Sequence, residues 1–158
     1  MKISEKGLRL LSEWEGLSSN AYLDSGGALT IGVGHLITRA ERMSGKIRID
    51  GDDVLYRNGL TDKQCAVLLM QDLYFTESAL NSWRCVELSQ NQFDALVSFI
   101  FNVGTTAFAS STLLKLLNQG HYDQVPAQLR RWVHDNGRVV QGLVNRREKE
   151  IKLWNGDL

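Results

Sequence analysis

EGLSSNAYLDSGGALTIGVGH, residues 15–35, sets two isolated carboxylates, Glu15 and Asp24, and a hydroxyl, Thr30, nine and six residues apart. Gly16, Gly26, Gly27, Gly32 and Gly34 punctuate the stretch. Regular structure rarely needs so many turn residues between polar groups. The stretch therefore reads as a small, tightly turned β-element that holds an acid/base pair across a cleft.

Upstream, residues 4–15 read as a helix that Ser4 caps, with Leu8, Leu11 and Trp14 at helical spacing. Gly16 stops it. Glu15 then sits in the last turn, where the macrodipole disfavours a second negative charge and favours a retained proton. Downstream, Ala21-Tyr22-Leu23, Leu29-Thr30-Ile31 and Val33 make short strands around a Ser25-Gly26-Gly27 turn. Lys46-Ile47-Arg48-Ile49 alternates polar and apolar and runs into Asp50-Gly51, with Val54 and Tyr56 on the return strand. Strand signals end at about residue 57.

Helical signals follow. Thr61 and Gln64 form a capping box opening a helix through about Trp83, with Leu68, Leu69, Leu73 and Leu80 on or near one face. Ser89 and Gln92 form a second box. Phe93, Leu96, Val97, Ile100 and Phe101 then recur at i, i+3, i+4, i+7 and i+8, as a central buried helix requires. Ser110 or Ser111 opens another helix, which Asn118 and Gly120 end. A helix across 123–133 keeps Pro126 in its first turn, and a last helix spans about 142–154. One helix, a small β-region, then a run of helices is an α+β order.

The 158 residues suit one domain, or two lobes sharing a core. Lys+Arg and Asp+Glu both number 18, and zero net charge argues against nucleic acid as a partner. Seven basic residues do cluster between 130 and 152: Arg130, Arg131, Arg138, Arg146, Arg147, Lys149 and Lys152, against Asp135, Glu148 and Glu150. They read as a solvated helix face or as a lip facing a polyanion. Cys65 and Cys85 lack metal-ligand spacing and read as structural thiols. The N-terminus lacks the apolar core of a signal peptide. No apolar run approaches the roughly 20 residues that span a bilayer. A cytoplasmic location without membrane insertion is expected.

Two carboxyls flanking a glycosidic bond suffice to hydrolyse it, one donating to the leaving oxygen and the other activating water or attacking the sugar. Glu15 suits the acid and Asp24 the ionised partner, although on spacing alone two unrelated surface carboxylates are the favoured reading. Thr30 is an ordinary β-residue or the hydroxyl that holds a water beside Asp24. His35 is a general base, a metal ligand or a structural histidine paired with a carboxylate. The last is favoured, because no second His or Cys stands at ligand spacing.

The pattern E-G-x4-A-Y-x-D-x5-T-I-G-x-G-H from Glu15 to His35 resembles the active-site signature of the phage-type lysozymes, glycoside hydrolase family 24. The resemblance continues through NQFDALVSFIFNVG at 91–104, SSTLLKLLN at 110–118 and RWVHDNGRVVQGLVNRREKE at 131–150. It implies a lysozyme-like fold in a single domain of residues 1–158. A β-containing lobe of about 16–60 would face a helical lobe of 1–15 and 61–158, with the active-site cleft between them.

The implied activity is that of a muramidase, cleaving the β-1,4 bond between N-acetylmuramic acid and N-acetylglucosamine without cofactor or metal. Glu15 carries over as general acid, Asp24 as the carboxylate assisting water, and Thr30 as the water-positioning hydroxyl. Inversion needs room for that water, so carboxyls about 6.5–9.5 Å apart are expected, against roughly 5–5.5 Å for a retaining pair. Arg146 matches an arginine that pairs with the catalytic Glu, an effect opposed to that of the helix end. His35 would pair with Asp72, joining the β-lobe to the helical one, and Asn102 and Gly104 line up with the cleft region.

The implied biology is a monomeric endolysin that waits in the host cytoplasm until a holin admits it to the peptidoglycan. The rivals are a peptidoglycan-binding module with a dead site, and an effector-type muramidase, which would normally bring extra domains.

Overall fold

Ser4 opens the first helix, α1 (Glu5–Glu15), by accepting the Gly7 N–H on its hydroxyl at 3.0 Å. Ser4 is itself held by the buried Asp94, which accepts its backbone N–H at 3.0 Å on one carboxylate oxygen and its hydroxyl on the other. A side chain at position 7 would meet Asp94, since a Cβ there would lie 2.6 Å from Asp94 Cγ. The computed structural model describes residues 1–158. They pack as two compact units, one of residues 10–74 and one of residues 1–9 with 75–158.

The 10–74 unit holds the larger share of the strands. β1 (Ser18–Leu23), β2 (Leu29–Gly32) and β3 (His35–Leu36) form an antiparallel sheet in that order. Val33 lies in the turn between β2 and β3 rather than in a strand, because Gly32 and Gly34 take positive φ of 65° and 68° on either side of it. A short helix, α2 (Arg39–Ser44), follows and has its own capping box between Thr38 and Glu41. β4 (Lys46–Ile49) and β5 (Asp52–Leu55) pair as a hairpin, Ile47 opposite Val54. The long helix α3 (Asp62–Trp83) begins at the Thr61–Gln64 box, whose two reciprocal bonds measure 2.9 and 3.1 Å. Ile31, Ile37, Ile47 and Ile49 pack with Leu60, Cys65 and Leu68 as the core of this unit.

In the other unit α4 (Gln90–Val103) is capped reciprocally by Ser89 and Gln92, and every residue from Phe93 to Ile100 is buried. It packs against α8 (Gln141–Asn155). Between them run α5 (Thr105–Ala109), α6 (Thr112–Asn118) and α7 (Val125–Leu129), with Ser111 capping α6. Phe99 meets Phe108 and Trp132 edge-on, with ring centroids 6.4 and 5.5 Å apart. Strand is not confined to the first 57 residues, because β6 (His134–Asp135) and β7 (Arg138–Val139) make a small exposed hairpin around Asn136-Gly137. Both turn residues have positive φ, 50° and 75°, as a tight hairpin demands. No helix is long and apolar enough to cross a membrane.

Candidate active site

Glu15 is the last residue of α1, which ends where the Gly16 N–H reaches Ser12 O at 2.9 Å and Gly16 turns to φ 74°. The reversal sends the chain into β1, and β1 leads to Asp24. Asp24 heads the hairpin loop. Its N–H donates to Ala28 O and its carbonyl accepts from Gly27 N–H, both at 2.9 Å. Its Oδ1 accepts the N–H groups of Gly26 and Ala28 at 2.9 and 2.8 Å. One carboxylate oxygen is thus tied to the loop, and Oδ2 is left for other chemistry.

Thr30 is buried in β2 and donates its hydroxyl proton to Ala28 O at 3.0 Å. With the proton committed, its oxygen faces any further partner as an acceptor. The Ala28 backbone therefore anchors both side chains, its N–H holding Asp24 and its carbonyl holding Thr30. The Tyr22 phenol feels the charge of Glu15 as well as that of Asp24. Burial raises its pKa above 10.0, and the negative charges of Glu15 and Asp24 raise it further. Both carboxylates therefore lie within electrostatic range of one phenolic oxygen.

His35 sits on β3 between two carboxylates. Its Nδ1 lies 2.8 Å from Asp72 Oδ2 and its Nε2 2.9 Å from Glu41 Oε1. Burial pushes the imidazole toward its neutral form, but the hydrogen bonds and charges of Asp72 and Glu41 outweigh it and lift the pKa above 6.5. Both Asp72 and His35 belong to the 10–74 unit, so this pair ties strand β3 to helix α3 within that unit. Glu41 Oε1 also accepts the Thr38 N–H at 2.8 Å, which makes the α2 cap part of the same network.

Asn102 and Arg146 lie in the other unit, around a buried ionic cluster on α4 and α8. Glu150, fully buried, accepts hydrogen bonds from Arg146 Nε at 3.1 Å, the Ser98 hydroxyl at 2.8 Å and Arg147 Nη2 at 3.2 Å, and Arg147 Nε lies 2.7 Å from its other oxygen. Arg146 also reaches Ser98 O and Oγ, at 3.3 and 3.2 Å. Arg147 spans the cluster. Its Nη2 donates to Asn102 Oδ1 at 2.7 Å, its Nη1 to Trp132 O at 3.3 Å, and its guanidinium lies 5.1 Å from the Phe99 ring centre. Burial raises the Glu150 pKa above 4.5, while Arg147, Arg146 and Ser98 act in the opposite direction.

Residues 12–150 match the family model described as phage lysozyme. The chain belongs to the phage lysozyme family. It is 40% identical to an endolysin of Bacillus phage PZA across 98% of its own length, and it spans 55% of that protein's length. It superposes on an endolysin from Escherichia coli O157:H7 phage FAHEc1 with a TM-score of 0.82 and 34% identity, covering all of this chain and 96% of the other. The muramidase domain of SpmX from Asticaccaulis excentricus is similar too, with a TM-score of 0.78 and 32% identity over 97% of each chain. The family membership makes this a lysozyme-type hydrolase with a lysozyme-like fold.

Three features lay outside the sequence reading. Glu41 is a second carboxylate on His35, signalled only by the Thr38–Glu41 capping box. Tyr22 stands opposite Thr30 across the β1–β2 ladder, which strand alternation with Asp24 two residues on hints at. The basic cluster of residues 130–152 is not a continuous lip, because Arg146 and Arg147 are buried on Glu150 and Arg130 pairs with Glu148 at 2.8 Å. No group of His, Cys, Asp and Glu residues is arranged to hold a metal ion. Both cysteines are free thiols, Cys65 buried in the core and Cys85 exposed, so the structural reading holds for Cys65 alone.

Proposed function

We propose that the protein is an endolysin-type muramidase that hydrolyses the β-1,4 bond between N-acetylmuramic acid and N-acetylglucosamine by a single inverting displacement. The observation that supports this most is the Ala28 anchor. It leaves Asp24 Oδ2 and the Thr30 oxygen as two acceptors held by the backbone of one residue, a fitting cradle for the two protons of a water molecule. Glu15 protonates the glycosidic oxygen as the bond from the anomeric carbon breaks. Water attacks that carbon from the opposite face and gives a proton to Asp24. No metal or cofactor enters the scheme.

Arg146 and Asn102 enter as supporting residues of the helical unit, and the His35–Asp72 pair as a frame for the strand that follows Thr30. The domain works as a monomer. In this reading it is stored in the host cytoplasm and meets peptidoglycan once a holin has opened the membrane.

A peptidoglycan-binding module with a dead site is the reading to exclude. Turbidity loss of purified cell walls, followed by mass analysis of the released muropeptides, separates the two. Wild type should clear the walls and release reducing-end muropeptides, and Glu15→Gln should be slower by about 10²–10⁴-fold, as expected for loss of a general acid. Equal clearing by the two proteins would remove Glu15 from the mechanism. No clearing by either would favour the binding module.

A further inference from the structure

Tyr22 is set into the site by the same register that places Asp24 and Thr30. It is the direct cross-strand partner of Thr30. Asp24, two residues on, is bonded to Ala28 in the next step of the ladder. Because strand side chains alternate, Tyr22, Asp24 and Thr30 project from one face of the hairpin. Tyrosine is a common strand residue, so its presence alone says nothing. What separates Tyr22 from a surface tyrosine is its surroundings.

Its phenol lies within electrostatic range of Glu15, from the end of α1, and of Asp24, from the hairpin loop. Two carboxylates make a poor place for a phenolate and a good one for a phenol that keeps its proton. The side chain is also presented outward, with the residue 38% exposed.

We propose that Tyr22 is a substrate-contacting residue of this site, its hydroxyl donating a hydrogen bond to an oxygen of the sugar whose anomeric carbon is attacked. The inference rests on the muramidase reading, which makes Glu15 and Asp24 the two groups flanking the scissile bond. A donor on the Thr30 face of the hairpin, in range of both, is placed to meet that sugar. The phenol holds its proton across the working pH range, so it donates throughout and transfers no proton itself. Its hydroxyl distinguishes a polar sugar edge from an apolar one, and the ring walls the site beside Thr30.

Tyr22→Phe tests this, with cell-wall peptidoglycan as the substrate. The variant keeps the ring and should unfold at the wild-type temperature. Its kcat/KM should fall about tenfold, the scale of one lost hydrogen bond to substrate. The fall should be the same at every pH, because a direct contact leaves the titration of Glu15 and Asp24 where it was. A kcat/KM within twofold of wild type would overturn the proposal. So would a displaced limb of the pH–rate profile, which would mean that Tyr22 acts through the carboxylates.

A second measurement does not depend on that variant. In Glu15→Gln protein labelled with ¹³C at tyrosine Cζ, the Tyr22 signal should shift when a soluble peptidoglycan fragment is added. A signal that stays in place while other site resonances move would equally overturn the proposal. Failure of the muramidase reading itself is distinguished by the wild type, which would then release no muropeptides.

Discussion

Ala28 brings no side-chain chemistry of its own, yet its backbone N–H and carbonyl position two candidate catalytic side chains. Everything that shapes the 24–28 loop should therefore reach the reaction. Gly27 is the sensitive point. It has φ 81° with nothing within 4 Å of where a Cβ would be, so substitution there strains the backbone without a clash. Gly27→Ala is expected to cost about 1–2 kcal/mol of stability through the left-handed conformation. Its kcat should fall by about tenfold or more, because small misplacements of a catalytic group are costly. Urea unfolding and wall-clearing rates measured on the same preparation check this, and an unchanged kcat would detach the loop from catalysis. At this scale the residue types were legible. Glu15 before Gly16, Asp24 before two glycines and Thr30 in a strand are all open to inspection in the sequence. Tyr22 was not, since a strand tyrosine obeys β-propensity whatever it does, and only the register beside Thr30 distinguishes it.

Helix starts carried much of the element-level information, because a capping box is a local device that tertiary packing does not need to supply. The Ser89–Gln92 and Thr61–Gln64 boxes both form as expected. The Thr38–Glu41 box obeys the same rule but opens a helix of only six residues with none buried, too short to show apolar periodicity. The β6–β7 hairpin escaped for a related reason: each strand has two residues, all exposed, and presents no alternating buried face. The short helix is consequential, since α2 supplies Glu41 to His35. His35 is held with a raised pKa. Its stabilisation should be fully present below its unfolded value of about 6.5 and disappear as pH climbs through the higher folded value. The stability advantage of wild type over Asp72→Asn, about 1–3 kcal/mol for a hydrogen bond to a charged group, should shrink correspondingly above neutrality. Urea titrations from about pH 6 to pH 9 read this directly. A gap that stays constant across that window would show that the imidazolium is not what Asp72 stabilises.

On the scale of the molecule, the α+β order and the central helix α4 followed from pattern. Apolar residues at helical spacing have to be buried somewhere, and Phe93 to Ile100 are. The interior of α8 did not follow. A run of arginines and glutamates reads as a wet surface because burying one such charge alone is prohibitive. Burial becomes tolerable only when Arg146, Arg147 and Ser98 gather around Glu150, a condition that no single segment reveals. That cluster also fixes Asn102 from behind. In the proposed mechanism Glu15 and Asp24, with Thr30, hydrolyse the bond in one step with inversion. Proton NMR of wall fragments, recorded faster than mutarotation, observes the anomeric proton on the carbon at which that step occurs. The first-formed product should be the α-anomer of a reducing N-acetylmuramic acid. A β-anomer, or a 1,6-anhydro end, would contradict the account.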